Sequence, residues 1–150
     1  MSMFLRLNEV KGELPSRHWR ELPQRYRLEA SFCPKCSITY FPPREFCPEC
    51  GSRELERRKL PHRGKLVTYT VMYTPPKGFE LYVPYIVGLV RLEDGTYITA
   101  QITDVDPQEL DLDIDVEAVI RKIGEKGRDG PIYYSYKFRP AVLNGGSTET

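Results

Sequence analysis

Four cysteines are the residues of this chain best equipped for chemistry, and they fall as two matched pairs, Cys33-Pro34-Lys35-Cys36 and Cys47-Pro48-Glu49-Cys50. Ten residues, 37–46, separate the pairs. Two C-x-x-C turns at this spacing bring four sulfurs to the corners of one tetrahedron, the arrangement of a structural zinc site. Iron is the alternative metal, since it also accepts a four-thiolate tetrahedron. A proline follows the first cysteine of each pair, which suits a tight turn with amides facing sulfur. Gly51 follows the second pair, whereas Ser37 stands at the matching place after the first, at some backbone strain. Two disulfides are the competing reading. The chain has no apolar N-terminal leader, so the expectation is a cytoplasmic protein with reduced thiols. A redox C-x-x-C occurs once, at a helix start, and does not account for two pairs. Four thiolates close the coordination sphere, so the metal is expected to be structural and residues 28–61 to form a rubredoxin-like zinc ribbon.

The remaining chemistry is sparse. With the cysteines committed, a nucleophilic catalyst would need serine or threonine beside a base. The two histidines, His18 and His62, read as surface or linker residues with no Ser/Cys–His–acid constellation around them. Gly124-Glu125-Lys126-Gly127 is too short for a phosphate loop. The acidic run DVDPQELDLDID lacks the spacing and the glycine of an EF-hand and reads as a solvated face. No catalytic residue is assigned.

The 150 residues, 40% hydrophobic, allow one domain or two small ones and hold no apolar run long enough to span a membrane. Net charge is +1. Residues 1–61 carry 12 Lys/Arg against 8 Asp/Glu, and residues 62–150 carry 10 against 13. Neither part is a strong magnet for a phosphate backbone, so nucleic acid is not the expected partner.

The elements that must position the cysteines can be placed in order. Residues 1–27 read as an arm, with Phe4, Leu5 and Leu7 able to dock, followed by a helix capped by Ser16. Trp19, Leu22 and Tyr26 share one face of that helix. Pro23 predicts a kink or two short helices. Trp19 either packs on the protein's own core or faces a partner. Leu28–Phe32, Ser37–Phe41 and Arg53–Leu60 are the ribbon strands, and Pro61–Gly64 is a hinge. Residues 62–141 then alternate as five strands: Lys65–Tyr73, Pro84–Leu92, Thr96–Ile102, Val116–Ile123 and Ile132–Phe138. Glu93-Asp94-Gly95 makes a hairpin between the second and third. A Pro/Gly-broken excursion, 74–83, carries Phe79 and Tyr82. The connector 104–115 has one helical turn after Pro107. The fold expected is mainly β, a helix and zinc ribbon followed by a five-stranded OB-fold barrel. Residues 142–150 are expected to be a disordered tail.

In that order, the stretches SFCPKCSITYFPPREFCPECGS, GKLVTYTVMY, VPYIVGLVRLEDGTYITAQITD and YYSYKFRP resemble the zinc-ribbon/OB-fold family of acyl-CoA-associated proteins, once filed as a domain of unknown function. The resemblance covers about residues 16–140. It implies a non-catalytic scaffold for thiolase-superfamily enzymes. It is also similar to the archaeal subunit that bridges acetoacetyl-CoA thiolase and HMG-CoA synthase at the head of the mevalonate route. CoA or acyl-CoA is implied as a possible shared ligand. On that expectation Trp19, Tyr26, Phe79, Tyr82 and Tyr85 are aromatic anchors for a partner or an acyl-CoA groove. Lys77, Arg121, Lys122, Lys137 and Arg139 offer charge to CoA phosphates or an acidic partner. The competing function is a nucleic-acid-binding ribbon and barrel whose tyrosines stack bases.

Overall fold

A computed structural model describes residues 14–76, 79–125 and 128–142. Residues 1–13 of the expected N-terminal arm, Lys77, Lys126 and Gly127 of the glycine-rich stretch, and the expected tail from 143 onward lie outside the described residues.

Helix α1, Pro15–Arg27, opens the described chain. Its N-cap is Leu14, not Ser16, and it has no side-chain cap. Pro15 starts the helix instead: its fixed φ suits the first turn, where its missing N–H would have no partner anyway. Arg25 and Arg27 complement the negative C-terminal end. The expected break at Pro23 does not divide the helix, which runs through it as one element. Pro23 cannot donate to the Trp19 carbonyl, but Glu21 spans the gap. Its carboxylate meets Arg17 at 2.9 Å and Arg25 at 2.7 Å, one turn to either side. Leu28, at φ 50°, ends the helix and returns its N–H to the Pro23 carbonyl.

Three short antiparallel strands follow, β1 Glu29–Cys33, β2 Ile38–Tyr40 and β3 Glu56–Lys59, in the order β2-β1-β3. Five more close a barrel: β4 Arg63–Met72, β5 Tyr85–Leu92, β6 Tyr97–Ile102, β7 Asp115–Glu125 and β8 Ile132–Pro140. Their order is β4-β5-β6-β8-β7, with β4 and β7 paired from Arg63↔Glu117 to Lys65↔Asp115 to complete the ring. Only β6 and β8 run parallel, at Ile102↔Phe138, extended by the Thr103 N–H to the Phe138 carbonyl. The architecture is the five-stranded closed barrel expected of an OB fold, behind a helix and a ribbon.

A bulge in β4 explains why its apolar residues do not alternate cleanly. The register with β5 shifts between Leu66 and Thr68. Gly64 and Leu66 face inward before the bulge, Tyr69 and Val71 after it, and Val67 is turned out. The expected hinge is shorter than Pro61–Gly64, because β4 begins at Arg63 and Gly64 is buried against β5. The β5–β6 turn has Gly95 at φ 87° and the Asp94 carboxylate accepting from the Thr96 N–H at 2.9 Å. The acidic connector does contain its turn, at Pro107–Glu109, but it is not wholly solvated. Leu110 is buried, and its carbonyl accepts from the Tyr69 hydroxyl at 2.8 Å.

The C-cap of α1, the ribbon and the barrel share one core. Leu28, Ala30 and Leu60 pack in the same cluster as Leu66, Val90, Val116 and Phe138. Phe41 meets Tyr136 edge-on at 5.6 Å. His18, expected at the surface, is buried, its ring edge-on to Tyr133 on β8 at 4.6 Å. α1 lies on β8, so the side of the helix that carries His18, about 100° round from Trp19, has a surface to cover.

Candidate metal centre and partner-facing surfaces

The ribbon brings the four cysteines together. Their sulfurs all lie within 4.8 Å of one another. Cys33 and Cys50 are 3.6 Å apart, and Cys36 and Cys47 are 3.9 Å apart. A tetrahedral Zn–S distance of about 2.3 Å requires sulfur–sulfur edges of about 3.8 Å. The donor set therefore fits a four-thiolate metal in both chemistry and size. No fifth side chain of the described residues joins the group as a ligand.

Local backbone geometry explains the fit. Cys33 ends β1 opposite Ile38, so the first turn is a hairpin tip. Ser37 at φ 55° and Gly51 at φ 69° take the same left-handed turn after Cys36 and Cys50. Serine thus makes the glycine-type turn, as the sequence comparison of the two knuckles predicts. The Cys47 N–H donates to the Ser52 carbonyl, and the Gly51 N–H to the Cys47 carbonyl, both at 2.9 Å. Cys33 and Cys47 are fully buried while Cys50 is exposed.

Tyr40 is a contributor that sequence reasoning missed. Its hydroxyl lies 3.4 Å from the Cys47 sulfur. That hydrogen bond, with backbone N–H groups behind it, holds the metal-free Cys47 thiol down at about 6. The same contact pushes the Tyr40 phenol well above its usual range. Sharing protons with Cys50 pushes Cys36 up to about 12. The signal was available in principle, since Tyr40 is the last residue of a three-residue strand beginning beside the knuckle.

The proposed contact residues fall on separate surfaces. Trp19 and Tyr26 do share a face of α1, with Leu22 and Pro23 between them, around a concavity of about 570 Å³. Trp19 is 74% exposed, so it is not part of the core. Phe79, Tyr82 and Tyr85 meet on the barrel, with Phe79 5.9 Å from Tyr82 and 5.8 Å from Tyr85. The cavity that Phe79 and Tyr82 share with Lys122 and Lys137 is only about 40 Å³. Since one water occupies about 30 Å³ of liquid, this cluster offers an aromatic surface, not an acyl-sized groove.

The expected cationic group is largely neutralised. Arg121 meets Asp104 at 2.6 Å, and Arg139 meets Glu117 at 2.8 Å and Asp104 at 3.9 Å. The Arg121 guanidinium holds the Asp104 carboxyl below its usual range. Lys122 pairs with Glu125. Lys137 makes no ion pair among the described residues, and its partial burial lowers its pKa.

Comparison with known proteins bears on this arrangement. The model of the ChsH2 rubredoxin-like zinc ribbon domain matches residues 20–56, and that of the ChsH2 C-terminal OB-fold domain matches residues 57–121. A DUF35 domain-containing scaffold protein of Pyrococcus furiosus is 46% identical over 85% of this chain and 93% of its own. The chain belongs to the DUF35 family. Another relative, the benzoylsuccinyl-CoA thiolase subunit BbsA of Thauera aromatica, is 33% identical over 75% of each chain. A solved structure described as an Ltp2–ChsH2 (DUF35) aldolase superposes with a TM-score of 0.67 at 27% identity, covering 89% of this chain and all of that one. The four cysteines of this DUF35 protein thus lie in its zinc ribbon domain, clustered for metal binding.

Proposed function

We propose that this DUF35 protein is a non-catalytic scaffold subunit of an acyl-CoA enzyme complex, shaped by a structural zinc at Cys33, Cys36, Cys47 and Cys50. The observation that carries the reading is the outward face of α1. Trp19 and Tyr26 are exposed on a helix whose other face is anchored to β8 by His18. Aromatic side chains held rigidly in this way supply interface energy at small entropic cost. The relatives support the same role, one being named a scaffold protein and another a thiolase subunit. The thiols support it too. All four belong to the metal cluster, so none is left to serve as a thiolase-type nucleophile.

The partners we propose are acetoacetyl-CoA thiolase and HMG-CoA synthase, joined so that an unfavourable condensation feeds the next step. Phe79, Tyr82 and Tyr85 form a second contact surface, on the barrel. The internal pairing of Arg121 and Arg139 argues against a phosphate-backbone track on this face. Native purification followed by mass spectrometry tests the proposal. A thiolase and a synthase should co-elute with the chain, and thioester turnover by the isolated chain would overturn it.

A further inference from the structure

A cleft of about 370 Å³ lies between α1 and the ribbon; it shares Pro23 with the Trp19 concavity and holds none of the four cysteines in its wall. Four guanidinium-bearing residues line it: Arg20 from the helix, Arg44 from the loop after β2, Arg53 from the segment before β3, and Arg57 from β3. Its two carboxylates are Glu29 and Glu45. Glu29 is already engaged, by Arg27 at 2.8 Å and Arg57 at 3.6 Å. Arg20, Arg44 and Arg53 make no ion pair among the described residues, which leaves the cleft with a clear cationic excess.

The site is anchored. Ser31, on β1, is buried at the cleft wall, and its hydroxyl accepts from the Arg44 N–H at 2.8 Å and donates to the Arg44 carbonyl at 2.9 Å. Those two bonds tie the Arg44 backbone to the ribbon core. The Arg44 guanidinium lies 5.7 Å from the Tyr40 ring centroid, and no carboxylate among the described residues pairs with it. Pro23, Pro43 and Leu55 supply apolar wall between the charges. The volume falls in the range of small-ligand clefts. Guanidinium forks match phosphate oxygens in geometry and charge, and an apolar wall beside them suits a nucleobase.

We propose that this cleft binds a phosphorylated nucleotide, with Arg20, Arg44 and Arg53 on the phosphates. The phosphate site stands on the cleft itself. Only the choice of source, the nucleotide end of a CoA thioester against a free nucleotide, rests on the acyl-CoA reading above.

Calorimetric titration of the zinc-loaded full chain with ADP, CoA, pantetheine and adenosine tests this. ADP and CoA should saturate one site, with affinity falling as salt rises, while pantetheine and adenosine should not. CoA binding much more tightly than ADP identifies the thioester carrier as the source, and equal affinities identify a free nucleotide. Arg53→Gln and Arg20→Gln, both exposed and unpaired, should each weaken binding roughly tenfold with zinc content unchanged. Arg44→Lys should lose part of the affinity by removing the fork and keeping the charge. Three results would overturn the proposal: no saturation by ADP or CoA at millimolar concentration, affinities unchanged in the variants, or binding of an acidic peptide and neither nucleotide. If the nucleotides fail while the partner enzymes still co-purify, the cleft assignment falls and the scaffold role stands. Nucleotide binding without partner capture is the converse.

Discussion

The imidazole of His18 stands edge-on against the ring of Tyr133, centroids 4.6 Å apart, and both side chains are buried. This pair joins α1 to β8 and thereby decides which way the helix presents its other side. Trp19, the next residue and about 100° further round the helix, is left on the outward side. Tyr133→Ala should cost about 3–5 kcal/mol, and His18→Ala about 1–2 kcal/mol from lost packing and the ring contact. Denaturant midpoints measure both. A His18→Ala protein of unchanged midpoint would mean that the helix is not anchored there.

Stripping the metal should unfold the ribbon and spare the barrel. Amide exchange is the measurement. Protection across 29–59 should collapse in a chelator, while that of β5 and β6, whose strand partners all belong to the barrel, should persist. Cys33→Ser should do the same without a chelator, since it leaves three thiolates in place of four.

Ser37 occupies a turn whose positive φ favours glycine, as Gly51 shows in the other knuckle. Ser37→Gly should therefore stabilise the zinc-loaded protein by about 0.5–1 kcal/mol. Thermal unfolding at saturating zinc reads the shift, and a destabilised variant would show that the serine side chain contributes something the backbone does not.

Gly88 has no room for a side chain. A methyl group there would sit 2.6 Å from the Leu66 side chain and 2.9 Å from that of Ile102, both inside the barrel. Gly88→Ala should cost about 1–3 kcal/mol by overpacking. Retained stability by urea titration would require that Leu66 repack freely.

The Asp104 carboxyl is held below its usual range by Arg121. A lowered folded pKa means that this contribution is complete above the unfolded value of about 3.9 and is lost as pH falls through the folded value. The pair is partly exposed, so the effect should not exceed about 1 kcal/mol. Asp104→Asn should flatten this part of the acid limb of a stability–pH profile. A variant profile parallel to that of the parent would remove Asp104 from the account.

The cysteine spacing, the turn residues and the alternation of strands were enough to place the ribbon, the hairpin and the five barrel strands, because each depends on residues close in the chain. Even the Ser37 turn was legible from the alignment of one knuckle on the other. What the sequence could not decide was what meets across the fold. His18 became core only because β8 returns to lie under α1. Leu110 became core only because the connector folds back onto Tyr69. Arg121 and Arg139 lost their free charge to Asp104 and Glu117, which come from other elements. The arginine cleft is likewise contributed by a helix, a loop and a strand that only packing brings together. Local backbone preference and metal-ligand spacing are written in short windows of sequence, whereas burial and ion pairing depend on neighbours chosen by closure of the barrel.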